Sequence, residues 1–256
     1  MRRLVLLLAL LATPAAAEGL KGIKGADDRV MVSGADYPWS AIGRVNNGMG
    51  GHCSGVLVGP RLAVTAAHCL WNRKTRAPMP AGSLHFVAGY DKGAYLKHSL
   101  VERTMVAPGW RFGLPYGPGP AAADWALLVL AEPVGEVAGW VGLGRAPAVG
   151  DKVVTTGYGQ DRPHVPTAHM GCAIIGTLGG GVLTHDCDAV HGDSGAPVLV
   201  WREGRPTLAA IHVATFTFEG GKVLGGAVPV SSFLAEAAKQ GAAAGQTGSA
   251  ATPLGR

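Results

Sequence analysis

The residues best placed to do chemistry form the run His191-Gly192-Asp193-Ser194-Gly195-Ala196-Pro197. A serine between glycines can present its hydroxyl from a tight loop, because glycine turns the backbone without a Cβ clash. Backbone amides on either side of the serine can then point at one spot, where a substrate carbonyl oxygen would gain negative charge. An ordinary turn is the alternative interpretation, because Gly, Asp and Ser are all common turn residues. The rest of the chain must decide between a nucleophile and a turn.

A candidate base for this serine is His68. Acyl transfer by serine needs a base, and the base needs an orienting group. Among the nine histidines His68 is distinctive, because it follows a strand-like run at 62–65 and two alanines and precedes Cys69. A disulfide at Cys69 would pin the backbone beside the ring. A buried histidine next to a structural cysteine is the alternative interpretation.

The candidate orienting group is Asp124, the only carboxylate that enters a strongly apolar strand, at residues 121–130. A carboxylate in such a place is costly unless it is hydrogen-bonded. A histidine Nδ1–H would satisfy it, and the carboxylate would stabilise the imidazolium that forms when His68 accepts the serine proton. An aspartate that merely caps a strand entrance is the alternative.

The ends of the chain differ in composition from its centre. Residues 1–17 combine two arginines, an apolar run at 4–11 and a small-residue cleavage site, which predicts a secretory signal peptide. The apolar run is shorter than the ~20 residues of a membrane-spanning helix, so we expect export without membrane insertion. Residues 18–29 are interpreted as a leader or short pro-segment and residues 241–256 as a flexible tail.

Between these ends, short apolar runs separated by turn residues predict an all-β fold, either a sandwich or barrels. The predicted strands are 41–45, 54–58, 62–65, 84–88, 100–106, 125–130, 152–157, 172–177, 181–185, 196–201, 207–213 and 223–229. They fall into two halves, residues 30–134 and 151–240, joined by a connection at 135–150. Only residues 231–240 favour a helix, a short C-terminal one with Ser231 or Ser232 as its N-cap.

The charge of the chain does not indicate a nucleic-acid partner. The formal net charge is +5, but the basic residues are scattered, with one short cluster at Arg73, Lys74 and Arg76. Nucleic-acid binding usually shows a basic patch or stripe with interleaved aromatic residues, and a solvated basic surface is the simpler interpretation.

The cysteines predict disulfides rather than a metal site. The four cysteines, Cys53, Cys69, Cys172 and Cys187, contain no paired C-x-x-C ligand motif, and an exported chain favours oxidised cysteines. Four cysteines allow three pairings. The sequential pairing closes two short loops, each contributing ~3 kcal/mol in the loop-entropy model.

Three blocks, in this order, resemble the signature blocks of the chymotrypsin-like serine proteases. They are Thr65-Ala66-Ala67-His68-Cys69, Asp124-Trp125-Ala126-Leu127-Leu128 and Gly192-Asp193-Ser194-Gly195-Ala196-Pro197. The resemblance covers roughly residues 30–233 and implies two packed six-stranded antiparallel β-barrels with an active site in the cleft between them.

The same resemblance implies a role for each reactive residue. Ser194 becomes the nucleophile, His68 the general base and acid, and Asp124 the orienting group. The backbone amides of Gly192 and Ser194 become the oxyanion hole.

The chain departs from the digestive branch of that family. The Ile-Val-Gly-Gly start of the mature digestive enzymes is absent, and residues 27–32 and 37–42 instead resemble the start of the bacterial glutamyl-endopeptidase (V8-like) branch. Residues 185–188 and 210–213 are similar to that branch too. The buried amine that partners the carboxylate of Asp193 in the digestive branch is therefore in question.

Two residues give conflicting indications of side-chain preference before the cleaved bond. Asp188 lies six residues before Ser194, where the trypsin branch carries the aspartate that binds Arg or Lys. His212 matches a histidine with which glutamyl endopeptidases receive a Glu side chain. A structural loop carboxylate and a packed strand histidine are the alternatives for these two positions. By the same resemblance, the segment from Val213 to Thr215 offers an extended edge that pairs with the substrate backbone.

The expected function is a secreted or periplasmic serine endopeptidase, monomeric, with a protein or peptide substrate and without cofactor or metal. One alternative is a protease-like binding module that no longer cleaves, since fold does not imply function. Such modules usually lose a triad member, and none is lost here. An esterase of the α/β-hydrolase type is disfavoured because the serine lacks a G-x-S-x-G elbow.

Overall fold

The predicted strands form two closed antiparallel barrels in a computed structural model that describes residues 20–243. The predicted signal peptide lies outside the described residues. The strands, in chain order, are β1 (Arg29–Met31), β2 (Ile42–Asn47), β3 (His52–Gly59), β4 (Leu62–Thr65), β5 (Trp71–Asn72), β6 (Ala77–Pro78), β7 (Leu84–Ala88), β8 (Lys97–Val106), β9 (Ala126–Leu130), β10 (Gly142–Leu143), β11 (Lys152–Gly157), β12 (Thr167–Thr177), β13 (Leu183–His185), β14 (Pro197–Arg202), β15 (Arg205–Thr217) and β16 (Val223–Pro229).

The first barrel closes in the order β2-β3-β4-β9-β8-β7. The middle of β8 alternates as a half-buried strand should: Ser99 and Val101 are buried, whereas Leu100 and Glu102 are exposed. The central strands β4 and β9 are apolar at almost every position because they are covered on both faces. Each of these two strands borders a catalytic candidate: His68 follows the end of β4, and Asp124 precedes the start of β9.

The second barrel runs β12-β11-β14-β15-β16-β13 and closes by pairing of β13 with β12. Two further strands pair with this barrel: β1 is antiparallel to β12, and β10 is parallel to β15. The predicted class, two packed antiparallel β-barrels, is confirmed. Arg29, the last residue of the predicted leader, is the first residue of β1.

The helices are few and short. They are α1 (Pro118–Ala121), α2 (Val134–Ala138) and α3 (Leu234–Ala243). The predicted C-terminal helix is confirmed, but Ser231 and Ser232 lie in a preceding 3-10 turn, so neither is its N-cap. The helix continues to Ala243, three residues past the predicted end at Gln240, and Phe233, just before it, and Ala237, within it, are buried in the core. Within residues 20–243 no helix has the length and apolar character needed to cross a membrane.

Both disulfides follow the sequential pairing. Cys53 is bonded to Cys69 and Cys172 to Cys187. The first bond ties β3 to the turn that carries His68, and the second ties β12 to the segment leading into the serine loop. Each bond therefore restrains the backbone next to a candidate site residue.

Candidate active site

His68 sits in a 3-10 turn, Ala67–Leu70, immediately after β4. Its backbone amide donates to Asp124 Oδ1 at 2.8 Å, and its ring Nδ1 lies 2.6 Å from Asp124 Oδ2. Two contacts from one residue to one carboxylate fix the ring plane and place the Nδ1 proton on the carboxylate side. The opposite ring nitrogen, Nε2, then faces the cleft as an acceptor.

Asp124 is fully buried where the chain enters β9. Its carboxylate accepts from the His68 amide, from His68 Nδ1 and from the Tyr116 hydroxyl. Three donors satisfy the hydrogen-bonding capacity that a buried carboxylate would otherwise lose on leaving water. The carboxylate at the entrance of this apolar strand is therefore hydrogen-bonded to the candidate base, the partner that the sequence analysis expects for it.

Tyr116 is a site residue that the sequence does not reveal. Its hydroxyl donates to Asp124 Oδ2 and also lies 3.3 Å from the Val213 carbonyl oxygen, while its ring stands edge-on to His68 with centroids 5.9 Å apart. Burial and the adjacent carboxylate raise the pKa of the Tyr116 hydroxyl above its usual range. The hydroxyl therefore stays protonated and acts as a donor.

Ser194 completes the group, with its Oγ 2.9 Å from His68 Nε2. The loop that presents it is wedged between the barrels: the Ser54 amide of β3 donates to the Ser194 carbonyl at 2.8 Å, and the Gly195 amide donates to the His212 carbonyl at 2.7 Å. Gly195 has a φ of +84°, and a Cβ there would collide with Ser54 and Thr65. Only glycine can occupy this position, which explains the residue after the serine.

The amides of Gly192 and Ser194 are free to receive an anion. Gly192 has a φ of +102°, a backbone conformation that other residues rarely adopt. Within residues 20–243 neither amide donates to a backbone acceptor. Two unengaged N–H groups beside the Ser194 hydroxyl are the donors that the predicted oxyanion hole requires.

Asp193 lies beneath this loop and has a cation nearby. Its Oδ2 accepts from the Val190 amide at 2.8 Å and lies 3.9 Å from Arg29 Nη1, and its Oδ1 has no hydrogen-bond partner among the described residues. Burial raises the pKa of Asp193 to about 7. The guanidinium of Arg29, on β1, thus stands near the carboxylate whose partner the sequence left in question.

Asp188 is engaged by the main chain rather than open to a substrate. Its side chain is 1 % exposed, Oδ1 accepts from the Lys24 amide at 2.7 Å, and Oδ2 accepts from the Asp28 amide at 3.0 Å. His169 Nδ1 lies 3.4 Å from the same carboxylate. The segment that covers it belongs to the predicted leader, so the structural interpretation of this carboxylate fits its contacts.

His212 is buried and paired with a second histidine. Its Nδ1 lies 3.0 Å from Nε2 of His185, and burial lowers the pKa of His212 to about 3. Burial also lowers the pKa of His185 well below its ordinary value. Both rings are therefore uncharged at neutral pH, and a proton shared between them fixes their orientation.

A cavity of about 400 Å³ opens onto the reactive atoms. His68, Ser194, Val213 and Thr215 line it together with Tyr116, whereas Asp188 and His212 do not. Strand β14 pairs with β15 only as far as Ile211. After that residue β15 has β16 as its remaining strand partner. Its other edge, at Val213 to Thr215, faces the cavity as the predicted substrate-pairing edge requires.

Comparison with known proteins agrees with this geometry. The chain is 29% identical to the glutamyl endopeptidase of Bacillus licheniformis over 204 residues, which cover 75% of this chain and 61% of that protein. It is 29% identical to Serine protease 23 of Bos taurus over 207 residues, 70% of this chain and 51% of that protein. The chain thus spans between half and two thirds of the length of these relatives.

A solved structure shares the fold. The structure described as Glu endopeptidase in complex with MPD superposes with a TM-score of 0.71 at 20% identity, covering 87% of this chain and 99% of that one. The family model described as Trypsin matches residues 29–236, which contain both barrels and all three reactive residues. The chain belongs to the trypsin family of serine proteases.

Proposed function

We propose that the chain is an exported serine endopeptidase that hydrolyses peptide bonds through an acyl-enzyme. The observation that carries the proposal is the unbroken set of contacts from Asp124 through His68 to Ser194, opening onto a cavity. Its two disulfides support an oxidising compartment, either extracellular or periplasmic.

In the proposed reaction Ser194 Oγ attacks the substrate carbonyl carbon while His68 Nε2 takes the hydroxyl proton. The new C–O bond leaves negative charge on the carbonyl oxygen, which the amides of Gly192 and Ser194 stabilise. His68 then gives its proton to the leaving amine as the C–N bond breaks. Water repeats the sequence to release the acyl group, and Asp124 stabilises the imidazolium throughout.

For the residue before the cleaved bond, P1, the contacts favour His212 over Asp188. Both oxygens of Asp188 are occupied by main-chain amides, so binding Arg or Lys there would break two hydrogen bonds. The carbonyl of His212 anchors the serine loop, and the next residue, Val213, lines the cavity. We propose that P1 is Glu and that the neutral imidazole of His212, which is buried next to the cavity residue Val213 rather than in the cavity lining, sets this preference, in keeping with the name of the glutamyl endopeptidase relative.

A peptide-library cleavage profile tests both the activity and the preference. The wild type is expected to cleave after Glu, the Asp188→Asn variant to keep that preference, and His212→Gln to reduce the Glu-over-Gln ratio of kcat/KM at least ten-fold. Active-site titration gives the concentration of active enzyme in each variant, so a changed preference is not confused with a smaller amount of active protein. A preference for Arg or Lys that disappears only in Asp188→Asn would reverse the assignment, and a folded wild type that cleaves nothing would refute the endopeptidase.

Tyr116 is expected to position the triad through its hydroxyl. Tyr116→Phe should lower kcat by about ten- to a hundred-fold with little change in KM, because a hydrogen bond to a charged group contributes about 1.5–3 kcal/mol. Tyr95→Phe is the control, since Tyr95 is exposed and lies outside the cavity. Steady-state kinetics on one peptide decide the matter, and equal kcat values for Tyr116→Phe and the wild type would remove this role.

A further inference from the structure

The one basic cluster of the sequence lies at the rim of the catalytic cleft. Strands β5 and β6 form a hairpin directly after the turn that carries His68, and Arg73, Lys74 and Arg76 occupy its exposed tip. Of these three, Arg73 lines the cavity that holds Ser194. Because the hairpin directly follows the turn that carries His68, its tip lies close to the catalytic site.

A second wall faces this hairpin and carries another cation. The Trp71 ring stacks on Phe112 with centroids 5.2 Å apart and planes 10° from parallel, and a Cβ on Gly113 would lie 3.3 Å from Trp71. This stack joins the hairpin to the loop before Tyr116. Arg111 extends from that loop into the cavity lining, and its Nη1 donates to the Pro108 and Trp110 carbonyls at 3.0 and 2.9 Å.

These cations have no anionic partner within residues 20–243. Neither Arg73 nor Arg111 forms an ion pair in the described part of the chain. Between Cys69 and Asp124 the sequence has two carboxylates only, Asp91 and Glu102, and neither lines the cavity.

We propose that Arg73 and Arg111 form a subsite for an acidic side chain of the substrate, two to four residues before the cleaved bond (P2 to P4). The position follows because these arginines share one cavity with the substrate-pairing edge at Val213 to Thr215. Arginine suits the task, because its planar group binds a carboxylate with two hydrogen bonds. This inference rests on the proposed endopeptidase function and deepens it: the substrates are acidic polypeptide segments.

The test uses peptide pairs that share P1 and differ only by Glu or Gln at P2 to P4. The wild type is expected to prefer the Glu peptide about ten-fold in kcat/KM at low salt, and less in 0.5 M NaCl, since exposed ion pairs are screened. Arg73→Gln/Arg111→Gln should reduce the preference to about two-fold or less. The matched control is Lys74→Gln, which changes charge on the same hairpin outside the cavity and should keep most of the preference.

Fluorophosphonate labelling distinguishes failure of the proposed acidic subsite from failure of the proposed endopeptidase function. A wild type that labels and cleaves but treats the Glu and Gln peptides alike overturns the subsite and leaves the endopeptidase in place. A double variant that keeps the preference, or a Lys74→Gln variant that loses it equally, also overturns the assignment to these two arginines. A folded wild type that neither labels nor cleaves removes both proposals.

Discussion

Ser194→Ala is expected to lower kcat/KM for peptide hydrolysis by about a million-fold, to the rate left by binding and the oxyanion hole alone. In the proposed mechanism the hydroxyl whose Oγ lies 2.9 Å from His68 Nε2 forms the acyl bond, and alanine offers no atom that could do so. His68→Ala should cost about as much, and the double variant little more, because the residues act as a unit. Initial rates on one peptide measure all three.

Ser232→Ala is the matched control for this loss. Ser232 is exposed in the 3-10 turn before the C-terminal helix, and its replacement should leave kcat/KM unchanged. Unfolding curves establish that each variant is folded. A triad variant keeps only a small residual rate. If Ser194→Ala retained more than about 1 % of the wild-type rate, well above that residual rate, the nucleophile would be another group.

Arg29→Met is expected to lower the free energy of unfolding by about 3–5 kcal/mol, because it removes the buried cation of a charge network and leaves Asp27 and Asp161 with the partly exposed Arg162 as their remaining partner. The Arg29 side chain is 2 % exposed and donates to both Asp27 and Asp161, at 2.7–3.2 Å. Hydrogen bonds from Arg29 lower the pKa of Asp27 to about 2. This pairing contributes stability above the ordinary pKa of an aspartate, and the contribution is lost as pH falls toward 2.

Urea unfolding at neutral pH measures the effect, with Arg162→Met as the control. Arg162 also pairs with Asp27, at 2.7 Å, but its side chain is 36 % exposed. An exposed ion pair contributes about 0–1 kcal/mol, so the control should lose far less stability than Arg29→Met. Equal losses of stability in the two variants would show that burial of Arg29 does not increase its contribution to the free energy of unfolding.

The β-strands and the three candidate catalytic residues could be identified in the sequence because their signals are local, whereas the arrangement in two barrels came from the family resemblance. Each barrel strand is a short apolar run between turn residues, and the pattern does not depend on which strand pairs with which. His68, Asp124 and Ser194 each lie at the end of such a run or in a glycine turn, so type and context point to them together. The predicted helix end falls before the observed one because Gly241 is typical of a helix stop, whereas the alanines at 242 and 243 favour a helix.

The rest of the site depends on contacts between segments that the sequence does not connect. Tyr116 lies in a Gly/Pro-rich loop without periodicity, and only the path of that loop brings its hydroxyl to Asp124. Arg29 and Asp161 are 132 residues apart, and His185 and His212 are 27 apart. The occupancy of Asp188 by the amides of Lys24 and Asp28 is equally invisible, because backbone donors carry no sequence signal.

The central claim is that Ser194 is an activated nucleophile. Treating the folded protein with a fluorophosphonate at neutral pH and mapping the adduct by peptide mass spectrometry tests it directly. The predicted result is one adduct, on Ser194, that is absent from Ser194→Ala and strongly slowed in His68→Ala. An adduct on a different residue, or none on a folded wild type, would contradict the account.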